Sequence, residues 1–183
     1  MNRVLNLWVL LTCGAVLHGF AADEKGLSSE EFVKLVGKLE ALTLVTAEPV
    51  SMRSSSWALC RNPQPGERDH GALLKSATAR KLGGFYKTYV TPGGAEAIKA
   101  EKPVFPEGTM IVKKKFVKGS EDSPELFTVM LKRERGFNPE AGDWEFITLS
   151  GDAKTVTSRG KQTSCIECHR LYKDHDFVTK NYK

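Results

Sequence analysis

The sequence predicts an α+β domain, a mainly antiparallel β-sheet with one helix before it and one after it. Three observations predict this. Ser28-Ser29-Glu30-Glu31 has the pattern of a capping box, and Phe32, Leu35, Val36 and Leu39 follow at helical spacing, which predicts an amphipathic N-terminal helix packed by its apolar stripe. From Gly84 onward the period changes to strand-like runs bounded by turn residues: Phe85 to Val90, Thr109 to Val117, Leu126 to Arg133 and Trp144 to Leu149. The stretch from about Cys165 predicts a short closing helix and a tail.

The segments between these elements follow from their punctuation. Thr91-Pro92-Gly93-Gly94 closes the first strand, Ala95 to Ala100 forms a short helix, and Pro103-Val104-Phe105-Pro106 breaks it. Residues 51 to 83 carry Ser-rich and Pro-rich stretches, including Arg61-Asn62-Pro63-Gln64-Pro65-Gly66, and predict a long irregular segment of the kind that lines sites.

The N-terminus reads as a signal peptide. Arg3 is followed by an uncharged, largely apolar run from Val4 to Ala22, small residues stand where a peptidase cuts, and Asp23-Glu24-Lys25 follows. The expected division is residues 1–22 as export signal and residues 23–183 as one domain, since 183 residues hold one well-cored unit. Removing the signal takes away one base, Arg3, and no acid, so the net charge of +5 changes little. The bases are scattered, densest at Lys113-Lys114-Lys115, and no aromatic-interleaved basic platform for nucleic acid is present. A basic rim could serve an acidic redox partner protein.

Cysteine usage carries the chemistry. Export leaves Cys60, Cys165 and Cys168, an odd number that argues against a disulfide framework. Cys165-Ile166-Glu167-Cys168-His169 is C-x-x-C-H, the spacing that lets two thiols add across two haem vinyl groups while the adjoining imidazole, His169, reaches the iron. A zinc site would need a fourth ligand from His70, His175, Cys60 or a carboxylate, and the chain has no second cysteine pair. The expected cofactor is one covalently bound haem c, with Cys60 left as a small buried residue.

The position of the motif narrows the class. An electron carrier of the small helical type places C-x-x-C-H near its N-terminus and supplies an axial methionine downstream, whereas here the last methionine is Met130, before the motif. A five-coordinate haem that binds small ligands is therefore expected. The strand-like runs exclude a four-helix cytochrome c-prime.

With Phe105-Pro106-Glu107-Gly108-Thr109-Met110-Ile111-Val112-Lys113, Gly142-Asp143-Trp144 and the C-terminal haem motif in order, the mature chain resembles the cytochrome P-460 family. Tyr89-Val90 with Pro92, and Phe137, fall into the same series. The resemblance implies a β-sheet fold edged by helices, a periplasmic homodimer and one of two activities. In cytochrome P-460 proper a lysine is joined to a haem meso carbon and the enzyme oxidises hydroxylamine to nitrous oxide or nitric oxide, passing electrons to an acceptor. In the cytochrome c-prime-beta subgroup the cross-link is absent and the protein binds nitric oxide or carbon monoxide without turnover.

Lys113, five residues after Gly108, matches the cross-linking lysine, which favours the enzyme. Without the resemblance a lysine in a run of three reads as a solvated edge residue. The resemblance also implies a pocket carboxylate acting as general base. Its position falls near Thr128, with Glu125 and Glu134 the nearest acids along the chain. His70, Phe85 and Tyr86 are candidate distal groups, His175 is expected to face solvent, and Arg133 and Arg135 are candidate partners of haem propionates.

Overall fold

The computed structural model describes residues 27–52, 56, 60 and 84–179. The expected signal segment, His70 and most of the irregular stretch before Gly84 lie outside them. Helix α1 (Ser29–Val36) begins with the expected capping box: Ser28 Oγ accepts from the Glu31 N–H, and Glu31 Oε2 accepts from the Ser28 N–H at 2.6 Å. Phe32 and Val36, one turn apart, are fully buried, while Leu35 turns away from their stripe and is 38% exposed.

Among the described residues, seven strands form one antiparallel sheet: β1 (Thr43–Leu44), β2 (Val50–Met52), β3 (Gly84–Val90), β4 (Met110–Phe116), β5 (Leu126–Lys132), β6 (Trp144–Ser150) and β7 (Val156–Gly160). The order is β1-β3-β4-β5-β6-β7, with β2 also paired to β3. The four expected strands are the centre of this sheet. β1 and β2 are too short to show a period, and β7 is polar, so none of the three stood out in the sequence.

Alternation gives each central strand two faces. Met110, Val112, Phe127, Val129, Leu131, Ile147 and Leu149 pack with Phe32 and Val36 under α1. Val90, Ile111, Met130, Trp144 and Phe146 face the other way, against Phe105, Phe177, Val178, Cys165 and Ile166. The second cover includes helix α2 (Pro92–Ala95), a 3-10 turn over Ala97–Lys99 and helix α3 (Thr163–His169), which runs into a 3-10 segment, Arg170–His175. The helix expected from Ala95 thus begins at Pro92, because a proline with no N–H to donate and a fixed φ suits a first helical turn.

On the α1 face, Glu145 is almost fully buried and accepts from Arg133 Nη1 at 2.7 Å and Arg159 Nε at 2.6 Å. Burial pushes its carboxyl up, but the hydrogen bonds from Arg159 and Arg133 outweigh that and hold it below the usual carboxylate range. Arg159 also donates to the Leu27 carbonyl and lies 4.8 Å from the Phe32 ring, which ties α1 to β7. Phe32→Ala is expected to destabilise the haem-loaded protein by about 3 to 5 kcal/mol, the range for deleting a buried phenyl ring. Denaturant unfolding measures it.

Candidate haem site

β4 places Lys113 on the face opposite α1, and β4 is an interior strand between β3 and β5, so the reading of Lys113 as a solvated edge lysine fails. α3 comes over the same face and brings Cys165, Cys168 and His169 to it. The step of three residues from Cys165 to Cys168 makes nearly one helical turn, so both thiols and the following imidazole share a side of α3. Lys113, Cys165, Cys168 and His169 line one cavity, partly open to solvent, with Cys60, Thr128 and Phe146 also in its wall.

The walls have a definite order. Thr88, Lys113, Thr128, Thr148 and Ser158 are successive cross-strand neighbours, a row of hydroxyls interrupted by one amine. Thr88 is fully buried, and its Oγ1 has no hydrogen-bond partner among the described residues. Beside this row Phe146 lies with its ring 5.2 Å from the His169 ring. Lys113 Nζ donates to Thr179 Oγ1 at 3.1 Å and sits 4.8 Å from the centre of the Tyr86 ring.

Electrostatics follow from burial. Desolvation lowers the pKa of the Lys113 ammonium, and nearby Lys115 lowers it further, so its neutral amine is easier to reach than that of a solvated lysine. Desolvation pushes the Cys165 thiol up to about 12 and raises Cys168 as well. Tyr86 is pushed up to about 12, chiefly by burial. Burial and then Lys113 bring His169 down to about 4, against the opposing effect of a hydrogen bond to the Phe177 carbonyl.

That hydrogen bond fixes the tautomer. His169 Nδ1 lies 2.7 Å from Phe177 O, and a carbonyl only accepts, so the proton is on Nδ1 and the lone pair is on Nε2. A neutral imidazole in this form and two thiols a helical turn apart, facing a largely apolar cavity, make a donor set that fits haem.

Other expected site residues fall elsewhere. Glu125 and Glu134 are exposed, and Glu134 pairs with Arg133, so neither acid is in the cavity, whereas Thr128 is. Arg133 is committed to Glu145 on the α1 side, and Arg135 is exposed and outside the cavity lining. Phe85 points to the α1 side and stacks on Phe116 at 6.4 Å, whereas Tyr86 reaches Lys113. His175 is half-buried rather than fully solvent-facing.

Sequence reasoning missed Phe146, the Phe177 carbonyl and Lys115. Lys115 shares the Lys113 face by alternation, is fully buried, and donates from Nζ to the Cys60 carbonyl at 3.2 Å. The only signal was parity within the lysine run. Cys60, expected to be buried, is half-buried in the cavity wall.

Among the described residues no helix is long and apolar enough to cross a membrane. A search of curated proteins finds no match to the chain. The family model for cytochrome P460 matches residues 68–180, which spans β3 to β7, α3 and the cavity lining apart from Met52 and Cys60. The chain therefore belongs to the cytochrome P460 family of haem cytochromes.

Proposed function

We propose that the mature chain is an exported, periplasmic mono-haem cytochrome that holds haem c through Cys165 and Cys168, ligates its iron through His169, joins its edge to Lys113, and oxidises hydroxylamine. The observation that carries this reading is a desolvated lysine amine in the same cavity wall as the two thiols and the imidazole. Haem, when bound, supplies an iron with an open coordination position and a macrocycle that stores electrons.

The chain's own groups have separate tasks. Cys165 and Cys168 tether, so the cofactor cannot leave. His169 donates from Nε2 because Nδ1–H is held by Phe177 O. The Lys113 amine, kept in place by Thr179 and Tyr86, would be the group that joins the haem edge. The row of Thr128, Thr148 and Ser158 offers hydroxyls to a small polar substrate in a largely apolar cavity. Homodimerisation and electron transfer to an acceptor protein complete the reading.

One observation favours a second reading. No carboxylate lines the cavity among the described residues, while Tyr86 and Phe146 flank it. A cavity with no carboxylate among these residues suits a gas-binding cytochrome of the c-prime-beta kind, which takes nitric oxide or carbon monoxide without turnover. Ferric holoprotein mixed with hydroxylamine and an oxidised small-molecule electron acceptor separates the two. Steady reduction of the acceptor with release of nitrous oxide or nitric oxide is the expected result. A spectral change that stops after one equivalent, with no acceptor reduced, would leave the gas-binding reading.

A further inference from the structure

The chain leaves α3 through two consecutive residues in the left-handed region, Asp176 at φ 48° and Phe177 at φ 62°. Neither is glycine, and a Phe is rarely found there. Such a pair persists only where its surroundings hold it, and the surroundings here come from four separate parts of the chain.

The Asp176 carboxylate accepts from Lys132 Nζ at 2.7 Å on Oδ1 and 2.8 Å on Oδ2. Its Oδ2 also accepts from the Phe105 N–H at 2.9 Å. The Asp176 carbonyl accepts from Trp144 Nε1 at 2.8 Å, and the Phe177 N–H donates to Tyr172 O at 2.9 Å. Lys132 Nζ in turn donates to Gly142 O at 2.8 Å and lies 5.1 Å from the Trp144 ring. Gly142 has to lack a side chain, because a Cβ there would come within 2.4 Å of the Phe177 ring. Both charged side chains are nearly buried, with exposures of 14% for Lys132 and 13% for Asp176.

The product of this arrangement is the direction of one peptide carbonyl, Phe177 O, which stands 2.7 Å from His169 Nδ1. A hydrogen bond on the distant nitrogen orients an imidazole ligand and strengthens its donation to a metal. We propose that Lys132 and Asp176, with Trp144, are positioning residues for the axial ligand: they hold the left-handed turn that sets the His169 hydrogen bond, and through it the strength of the bond from His169 to haem iron. This rests on the reading of His169 as that ligand.

Lys132→Met and Asp176→Asn each remove the ion pair while nearly keeping side-chain size. Purified holoprotein of each variant is examined in the ferrous state by resonance Raman spectroscopy and by redox titration. A lower iron-histidine stretching frequency and a more positive reduction potential are expected in both, because a slack Phe177 carbonyl leaves His169 a poorer donor. Glu145→Gln, which breaks a comparably buried ion pair on the α1 face, serves as the control for destabilisation alone and is expected to move neither reading. If one of the two variants fails to fold, the other carries the test. Unmoved frequency and potential in a folded variant, or the same shifts in Glu145→Gln, would overturn the positioning role. A wild-type protein with no iron-histidine band would instead sink the ligand assignment on which it rests.

Discussion

Replacing both Cys165 and Cys168 with alanine in a Lys113→Leu background is expected to yield exported protein from which acidified acetone removes all haem, while the wild type keeps its haem through denaturing electrophoresis. α3 presents the two thiols and His169 to the same cavity, and Cys60 is not on that helix and cannot restore the pair. Each single variant is expected to keep one thioether and a shifted haemochrome band. The double variant should also unfold more readily, because a cofactor that binds only the folded state adds to stability in proportion to its affinity. Haem staining of a gel and the pyridine haemochrome spectrum read the outcome. Haem that stays with the double variant in the Lys113→Leu background would mean that these thiols are not the tether.

Lys113→Leu is expected to have the second largest effect, a fall in hydroxylamine oxidation of about 100-fold or more, the scale of losing a placed reactive group. Leucine fills much of the same space without an amine. The thioether-bound haem should remain, with an ordinary high-spin spectrum, and so should binding of nitric oxide or carbon monoxide. Steady-state turnover set beside a gas titration on the same preparation makes the comparison. Undiminished turnover would show that the lysine amine has no part in the chemistry.

The structure explains why a lysine run on a strand is ambiguous. Lys113, Lys114 and Lys115 look alike in sequence, and only the position of β4 inside the sheet decides that Lys113 and Lys115 face the cavity side while Lys114 faces the other. Strand position is a property of topology, set by which partners pair on both edges, and no local pattern reports it. The same holds for Lys132 and Asp176, which meet across 44 residues, and for Phe177, whose contribution is a carbonyl rather than a side chain.

Local chemistry was legible. Ser28 and Glu31 cap α1 because a hydroxyl and a carboxylate at that spacing answer free backbone N–H groups, and nothing distant is needed. The four long strands were readable because each alternates between two buried faces with turn residues at its ends. β7 was not, since Val156-Thr157-Ser158-Arg159-Gly160 carries its partners in hydroxyls and a guanidinium rather than in apolar side chains. The cysteine pair and His169 were readable for the opposite reason, a covalent requirement that leaves a spacing behind. The identity of the pocket acid stayed open, because Glu125 and Glu134 stood out only by proximity along the chain. Glu125 and Glu134 flank β5 but sit beyond its ends, in solvent, while Thr128 occupies the cavity wall between them.

The most direct test of the account is the mass of the haem peptide from the digested mature protein. The expected species carries haem on the peptide containing Cys165 to His169, with the peptide containing Lys113 still attached through the macrocycle. A haem peptide held by two thioethers alone would remove Lys113 from the cofactor and leave a gas-binding cytochrome, and Cys165 and Cys168 recovered without haem would contradict the account at its centre.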